Sequence, residues 1–195
     1  MVEGTYENLK ITTNEDMRIA DALMKKRYTA SVRNGFGYDS HRFAANRKLI
    51  LGGVEIPFDK GLQGHSDADA LIHAICDALL GAAGAGDIGR HFPDSDSEYK
   101  DISSMILLER VKKIIEEKGY IVNNVDATVI MEAPKLAPHA DKMVSNIARV
   151  LKISGECVNI KAKTNEGMGF TGRKEGVAVF AVAALTERKK HGSEA

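Results

Sequence analysis

Tryptophan is absent from the 195 residues, aromatic side chains make up 6%, and 27 basic residues balance 27 acidic ones. A chain with no cationic excess and so few rings can neither neutralise a phosphate backbone nor stack bases, which argues against nucleic acid as a partner. Long apolar runs are also missing. The most apolar stretch, residues 68–85, is broken by Asp69, His73 and Asp77, so no segment spans a bilayer and no membrane partner is expected. Glu3, Glu7, Glu15, Asp16 and Asp21 fall in the first 30 residues. Acidity there fits neither a secretory signal nor a transit peptide, and a cytoplasmic location is expected. Cys76 and Cys157 are the only cysteines and lack Cys-x-x-Cys spacing, so they read as reduced thiols.

What remains has 44% hydrophobic residues, enough for one globular domain with an appendage. Residues 1–30 form that appendage: an extended stretch over 9–12, then a helix capped by Asn14. Ile19, Ala22 and Leu23 supply its apolar stripe, and Lys25, Lys26 and Arg27 suit its C-terminal end. From residue 31 to 187 the pattern settles into a domain, with 188–195 as a solvated tail. Strands are expected over 32–38, 48–51, 54–57, 125–131, 157–164 and 177–185, with Gly52-Gly53 turning a hairpin. Helices are expected over 66–83, 103–118 and 138–151, the second stopped by Gly119. Strands interleaved with helices predict an α/β fold of the α+β kind: a mixed sheet with helices packed on it.

Two polar clusters interrupt this apolar pattern. In Asp39-Ser40-His41, strand alternation points a carboxylate and an imidazole to the same side. In the expected helix, Asp69, His73 and Asp77 recur every four residues, and three polar groups on one buried stripe are costly unless satisfied. Asp39, His41 and His73 form a mixed nitrogen and oxygen set suited to Zn²⁺, with a fourth position open. Asp69 or Asp77, a turn away, could accept the proton from the far ring nitrogen of His73.

The run Gly84-Ala85-Gly86-Asp87-Ile88-Gly89 has the G-x-G-x-x-G spacing of dinucleotide sites, but it follows a helix instead of a strand. Asp87, Asp94 and Asp96 would repel a pyrophosphate and suit ribose hydroxyls instead. Residues 163–173 combine Thr164, Glu166, three glycines and Arg173. That set could approach phosphates through backbone N–H groups and a guanidinium fork, with Glu166 on a Mg²⁺.

In order along the chain, Gly37-Tyr38-Asp39-Ser40-His41-Arg42-Phe43, Leu51-Gly52-Gly53-Val54, His65-Ser66-Asp67-Ala68-Asp69, Asp87-Ile88-Gly89, Phe92-Pro93-Asp94, Ala133-Pro134-Lys135 and Gly169-Phe170-Thr171-Gly172-Arg173 resemble the 2-C-methyl-D-erythritol 2,4-cyclodiphosphate synthases of the non-mevalonate isoprenoid pathway. The resemblance implies a homotrimer with active sites between subunits and a cytidine diphosphate substrate. It implies Zn²⁺ on Asp39, His41 and His73, and Mg²⁺ or Mn²⁺ on Glu166. By the same resemblance His65 and Thr164 assist the transition state, Ser66 contacts the methylerythritol phosphate, and Asp87, with Ile88 and Gly89, holds the ribose. Phe92, Pro93, Asp94, Ser95 and Asp96 face the substrate. Met131, Glu132, Ala133, Pro134, Lys135, Leu136 and Ala137 form the cytosine pocket, while Phe170 and Arg173 line the phosphate region.

Where relatives often carry a run of threonines this chain reads Lys163-Thr164-Asn165, so only Thr164 keeps the hydroxyl. Met131 and Glu132 replace the small or amide residues common there. Residues 6–16 are similar to the C-terminal end of the methylerythritol phosphate cytidylyltransferase, which implies the synthase end of a bifunctional fusion. Two rival readings use the same residues: a zinc phosphoesterase of nucleotide diphosphates, and a non-catalytic trimer holding an isoprenoid diphosphate in an apolar cavity.

Overall fold

Alternation organises the sheet. In the computed structural model, which describes residues 11–28 (backbone alone from 22), 31–93 and 95–188, Val177, Val179, Ala181, Ala183 and Leu185 point into the core while Phe180 and Val182 face outward. These residues form β7 (Gly176–Glu187), which pairs antiparallel with β1 (Val32–Ala45) on one side and β5 (Tyr120–Ile130) on the other. β6 (Val158–Lys163) joins β5 in parallel, and β4 (Lys60–Leu62) pairs antiparallel with the end of β1. The result is a mixed five-stranded sheet ordered β4-β1-β7-β5-β6. β2 (Leu49–Leu51) and β3 (Val54–Ile56) make the separate hairpin. Gly52 and Gly53 both hold positive φ there, +59° and +67°, as a tight two-residue turn requires.

One helix occupies the middle of the domain. α2 (Ala70–Ala82) is buried on nearly every side, between the sheet and α4 (Ser104–Glu117). Its backbone approaches β1 closely: a Cβ built on Gly35 or Gly37 would lie 2.0 Å from the carbonyl oxygen of Ala78 or Ala74. α5 (Ala140–Leu151) packs on α4 and β6, and α3 (Ile88–His91) and α6 (Gly169–Gly172) are single turns.

The chain divides into two units at Ser31 and Val32. The first contains α1 (Asn14–Tyr28), capped by Thr13 instead of Asn14. Thr13 Oγ1 accepts the Asp16 N–H at 3.1 Å, and the Asp16 carboxylate accepts the Thr12 and Thr13 N–H groups in return, a reciprocal box that holds the Asp16 carboxyl down at about 2. Ile11 and Thr12 are not in a strand. Leu9 and Lys10, the side chains of Ala22, Leu23, Lys25, Lys26 and Arg27, and the tail beyond residue 188 lie outside the described residues.

Other boundaries shift for identifiable reasons. β1 runs seven residues past the expected end because its pairing with β7 continues to Arg42 and then passes to β4. Asp39 and His41, past the expected end, are therefore paired strand residues, in keeping with the alternation that puts them on one side. α2 starts at Ala70 rather than Ser66, since Asp69 caps it by accepting the Ile72 N–H and Ala68 holds φ +58°. Both cysteines are free thiols, and burial raises that of Cys76 well above its usual range. Among the described residues no helix is long and apolar enough to cross a membrane.

Candidate metal centre and active site

β1 and α2 bring the expected ligands to one point. Asp39 Oδ2 lies 2.9 Å from His41 Nε2 and 3.0 Å from His73 Nδ1, and the two ring nitrogens are 3.4 Å apart. A tetrahedral ion with bonds of about 2.0–2.1 Å holds its ligands about 3.3–3.4 Å apart, so this triangle needs little adjustment to take one. Two nitrogens and one carboxylate oxygen also match zinc in donor type. Burial by itself would push the Asp39 carboxyl up, but hydrogen bonds from His41 and His73 and their charge hold it well below the usual carboxylate range. For His73, burial favours the neutral ring; the Asp39 hydrogen bond and charge, then the charges of Asp69 and Asp67, outweigh it and raise its pKa. A bound cation would displace that proton.

Behind the triangle the arrangement departs from expectation. Asp69 does not reach the His73 ring. Its carboxylate accepts the N–H groups of Gly52, Gly53 and Ile72 at 2.9, 2.7 and 3.1 Å, tying the β2–β3 turn to the start of α2. Burial pushes its carboxyl up to about 6 despite those donors. Asp77 instead accepts the Ile88 N–H at 2.7 Å, and burial raises its pKa too. The far nitrogen of His73, Nε2, meets Ser104 Oγ at 2.9 Å and Ser66 Oγ at 3.1 Å. Ser104 carries no sequence signal beyond its place near a helix start, and Asp67, hydrogen-bonded to it, stands in the sequence between Ser66 and Ala68 with nothing local to mark its partner.

A cavity of about 260 Å³ opens beside the triangle, and its lining includes Asp39, His65, Ser66, His73, Asp77, Ile88, Gly89 and Phe92. Tyr99 and Leu107, absent from the sequence reading, complete its wall. Asp87 caps α3 by accepting the Arg90 N–H at 2.9 Å, and Asp96 caps the following turn through the Glu98 N–H. Pro93 and Ser95 are exposed, and Asp94 lies outside the described residues.

The other expected residues gather separately. Met131 N donates to Lys163 O at 3.0 Å, and Glu132 Oε1 accepts the N–H groups of Asn165 and Gly167 at 2.8 and 3.4 Å. Glu132 thus fastens residues 131–137 to 163–169. Thr164 Oγ1 donates to Glu166, which takes the turn at φ +50°. Met131 and Leu136 are core side chains, 4% and 3% exposed, so only their backbone can line a pocket. The exposed Arg173 guanidinium is engaged by both Glu175 oxygens, at 2.8 and 3.1 Å. Phe170 shares a second cavity of about 350 Å³ with His41, Ser40, Arg42 and Glu175. Ala133, Pro134, Lys135 and Ala137 are at least partly accessible.

Fold and site define a class: α+β proteins with two histidines and one aspartate, placed so that they could hold a metal ion, at the seam between a mixed sheet and its central helix. Within it, the chain belongs to the YgbB family, whose model matches residues 32–186. It is 63% identical over 158 residues to a 2-C-methyl-D-erythritol 2,4-cyclodiphosphate synthase of Syntrophus aciditrophicus, covering 81% of this chain and 99% of that one. It is 57% identical over 185 residues to a bifunctional enzyme IspD/IspF of Desulforudis audaxviator, covering 95% of this chain but 46% of the relative. The chain thus spans about half the length of that bifunctional relative. Among solved structures, the CDP complex of Plasmodium falciparum IspF superposes with a TM-score of 0.72 at 34% identity, over 82% of this chain and 99% of that one.

Proposed function

We propose that the chain is a 2-C-methyl-D-erythritol 2,4-cyclodiphosphate synthase, converting 4-diphosphocytidyl-2-C-methyl-D-erythritol 2-phosphate to the cyclic diphosphate and CMP. The observation that carries this reading is the Asp39, His41 and His73 triangle beside a polar cavity in a chain of this family. In the reaction an oxygen of the 2-phosphate bonds to the β-phosphorus. The bond from that phosphorus to the bridging oxygen breaks, and its electron pair leaves with CMP. The substrate carries its own nucleophile, so the work of the protein is to hold two polyanionic ends in line.

Asp39, His41 and His73 would hold Zn²⁺, and Glu166 would hold Mg²⁺ or Mn²⁺; such ions offset the mutual repulsion of the phosphates and polarise a phosphoryl oxygen. His65, exposed on the cavity rim, donates to the phosphoryl oxygens that gain charge, as does Thr164 once its one proton turns from Glu166, and Ser66 orients the methylerythritol phosphate. Asp87 keeps a carboxylate oxygen free of the Arg90 N–H for the ribose diol. Residues 131–137, Lys135 included, receive cytosine through backbone groups.

A homotrimer with sites between subunits is supported by an uncovered apolar sheet face. Phe36, Tyr38, Phe180 and Val182 are 62%, 45%, 38% and 45% exposed and neighbour one another across the β1–β7 pairing. That face would line the trimer cavity, whose candidate occupant is an isoprenoid diphosphate. A cytoplasmic location and a bifunctional parent, with residues 1–30 as the end of its cytidylyltransferase, complete the reading.

The test is phosphorus NMR of the protein with its substrate and Mg²⁺, with and without a zinc chelator, beside His73→Ala. Equimolar CMP and cyclic diphosphate, both lost on chelation and in the variant, are expected. CMP with an open-chain product would establish the phosphoesterase instead.

A further inference from the structure

Ser104, the first residue of α4, and Asp67, in the loop before α2, have no part in the reaction as described. Yet Ser104 is fully buried, and its hydroxyl joins Asp67 to the metal triangle. Both Asp67 oxygens act as acceptors: Oδ1 from Asp69 N at 3.3 Å and from Ser104 Oγ, and Oδ2 from Ser104 N at 3.0 Å. A serine hydroxyl has one proton. With that proton directed to Asp67, Ser104 Oγ can only accept from His73 Nε2, 2.9 Å away, so the ring proton belongs on Nε2. Nδ1 then turns a lone pair toward Asp39 and His41. Ser66 Oγ, 3.1 Å from the same Nε2, accepts the Ala68 N–H and, among the described residues, is bonded to no carboxylate, so it imposes no such direction.

We infer that Asp67 and Ser104 are positioning residues, a relay that fixes the tautomer and the rotation of His73 so that Nδ1 is the ligating nitrogen. The inference rests on the metal reading of the triangle. It concerns groups that touch neither the ion nor the substrate, and groups of this kind typically tune metal affinity about 10–100-fold.

Two variants separate direction from bulk. Ser104→Ala removes the relay. Asp67→Asn keeps its shape but reverses it: the amide oxygen stays on the Ser104 N–H, the amide N–H₂ faces Ser104 Oγ, and the hydroxyl turns its proton toward Nε2. Zinc affinity is measured by competition with a chromophoric chelator, the ligand field from the visible spectrum of the cobalt-loaded protein, and the wild-type His73 tautomer by nitrogen-15 NMR of the zinc-loaded protein. Expected are zinc binding weakened about 10–100-fold in both variants, altered cobalt spectra, unchanged metal-free far-UV spectra, and wild-type zinc on Nδ1 with the proton on Nε2. Wild-type affinity and spectra in both variants, or wild-type zinc on Nε2, would overturn the relay while leaving the metal site standing. A wild-type chain that binds neither zinc nor cobalt would overturn the metal reading and the relay with it.

Discussion

Gly37→Ala is a substitution of one methyl group that should reach the metal site without touching it. The backbone at Gly37 is not among the positive-φ glycines, so alanine is conformationally acceptable there; the obstacle is space. The added Cβ would lie 2.0 Å from Ala74 O and 2.7 Å from Ala78 N, against an ordinary contact of about 3.5 Å, so β1 and α2 must part by more than about 1 Å. Both contacting atoms are helix backbone and cannot swing aside. Overpacking of this kind costs about 1–3 kcal/mol, which lowers Tm by roughly 2–12 °C in a domain of this size. Asp39 and His41 follow on β1, while His73 sits next to Ala74 on α2, so the same displacement stretches the 3.0 and 3.4 Å edges of the triangle. Misplacement by about 1 Å costs on the order of 10²-fold in rate, and zinc affinity should fall with it. The assays are chelator competition, thermal unfolding and CMP release. Gly119→Ala is the control: its φ of +83° strains alanine, but nothing lies within 4 Å, so it should lower Tm and spare zinc. A Gly37→Ala protein with wild-type Tm and zinc affinity would refute the reasoning, as would an equal loss of zinc in the control.

The Asp69 carboxyl is raised by burial to about 6 from 3.8, so the folded state binds its proton more tightly than the unfolded one and stability from this group is lost as pH rises from about 4 through 6. Between pH 4.5 and 7.5 that loss is about 2 kcal/mol; metal-free Asp69→Asn should gain on wild type by that amount over this range in urea unfolding, and parallel pH profiles would contradict it. Asp39 has the opposite sign, its contribution lost as pH falls below 3.8. Glu132→Ala removes the acceptor for Asn165 and Gly167 N–H groups, worth about 1–2 kcal/mol. Steady-state kinetics should show KM rising by a factor of roughly 5–30 with kcat changed less; an unchanged KM would sink the fastening role. Deleting residues 1–30 should leave turnover and oligomeric state intact, and a large loss of either, by CMP release and size-exclusion light scattering, would assign that segment a structural duty.

The ligand triangle was legible because its signals are local and expensive. An imidazole in the apolar run of residues 70–82 demands a reason, and so does the carboxylate–imidazole pair two residues apart in Asp39-Ser40-His41. The mixed sheet followed from the interleaving of strand and helix patterns, and the Gly52-Gly53 turn from chemistry that few residues supply. What escaped was set by contacts distant in sequence. β1 extends to Ala45 only because β7 and β4 continue its ladder, and β4 is a three-residue strand with no periodicity to read. Asp69 and His73 suggest a pair when the spacing is drawn on one helix, but a helix starting at Ala70 makes Asp69 its cap and turns the carboxylate toward the β2–β3 glycines. Ser104 approaches His73 from 31 residues away, so no local spacing marks the pair.

Charge also favours a cation in this pocket. Four carboxylates, Asp39, Asp67, Asp69 and Asp77, surround two imidazoles. Burial raises Asp69 and Asp77, and repulsion adds to it, from Asp67 on Asp69 and from Asp87 and Asp39 on Asp77. Asp39, which faces both rings, is held down. Without an ion, a proton on His73, which its raised pKa favours, offsets part of the negative charge, at a ring nitrogen already aimed at the shared oxygen. A divalent ion exchanged for that proton adds positive charge where carboxylates outnumber imidazoles, and it leaves the Ser104 contact on the opposite ring nitrogen untouched. The site therefore needs little rearrangement to load: two edges of the triangle lengthen by a few tenths of an ångström. Gly37 and Ala74 hold the two backbones in close contact, Asp69 anchors the start of the helix to the hairpin, and the three side chains are presented from two elements packed backbone to backbone.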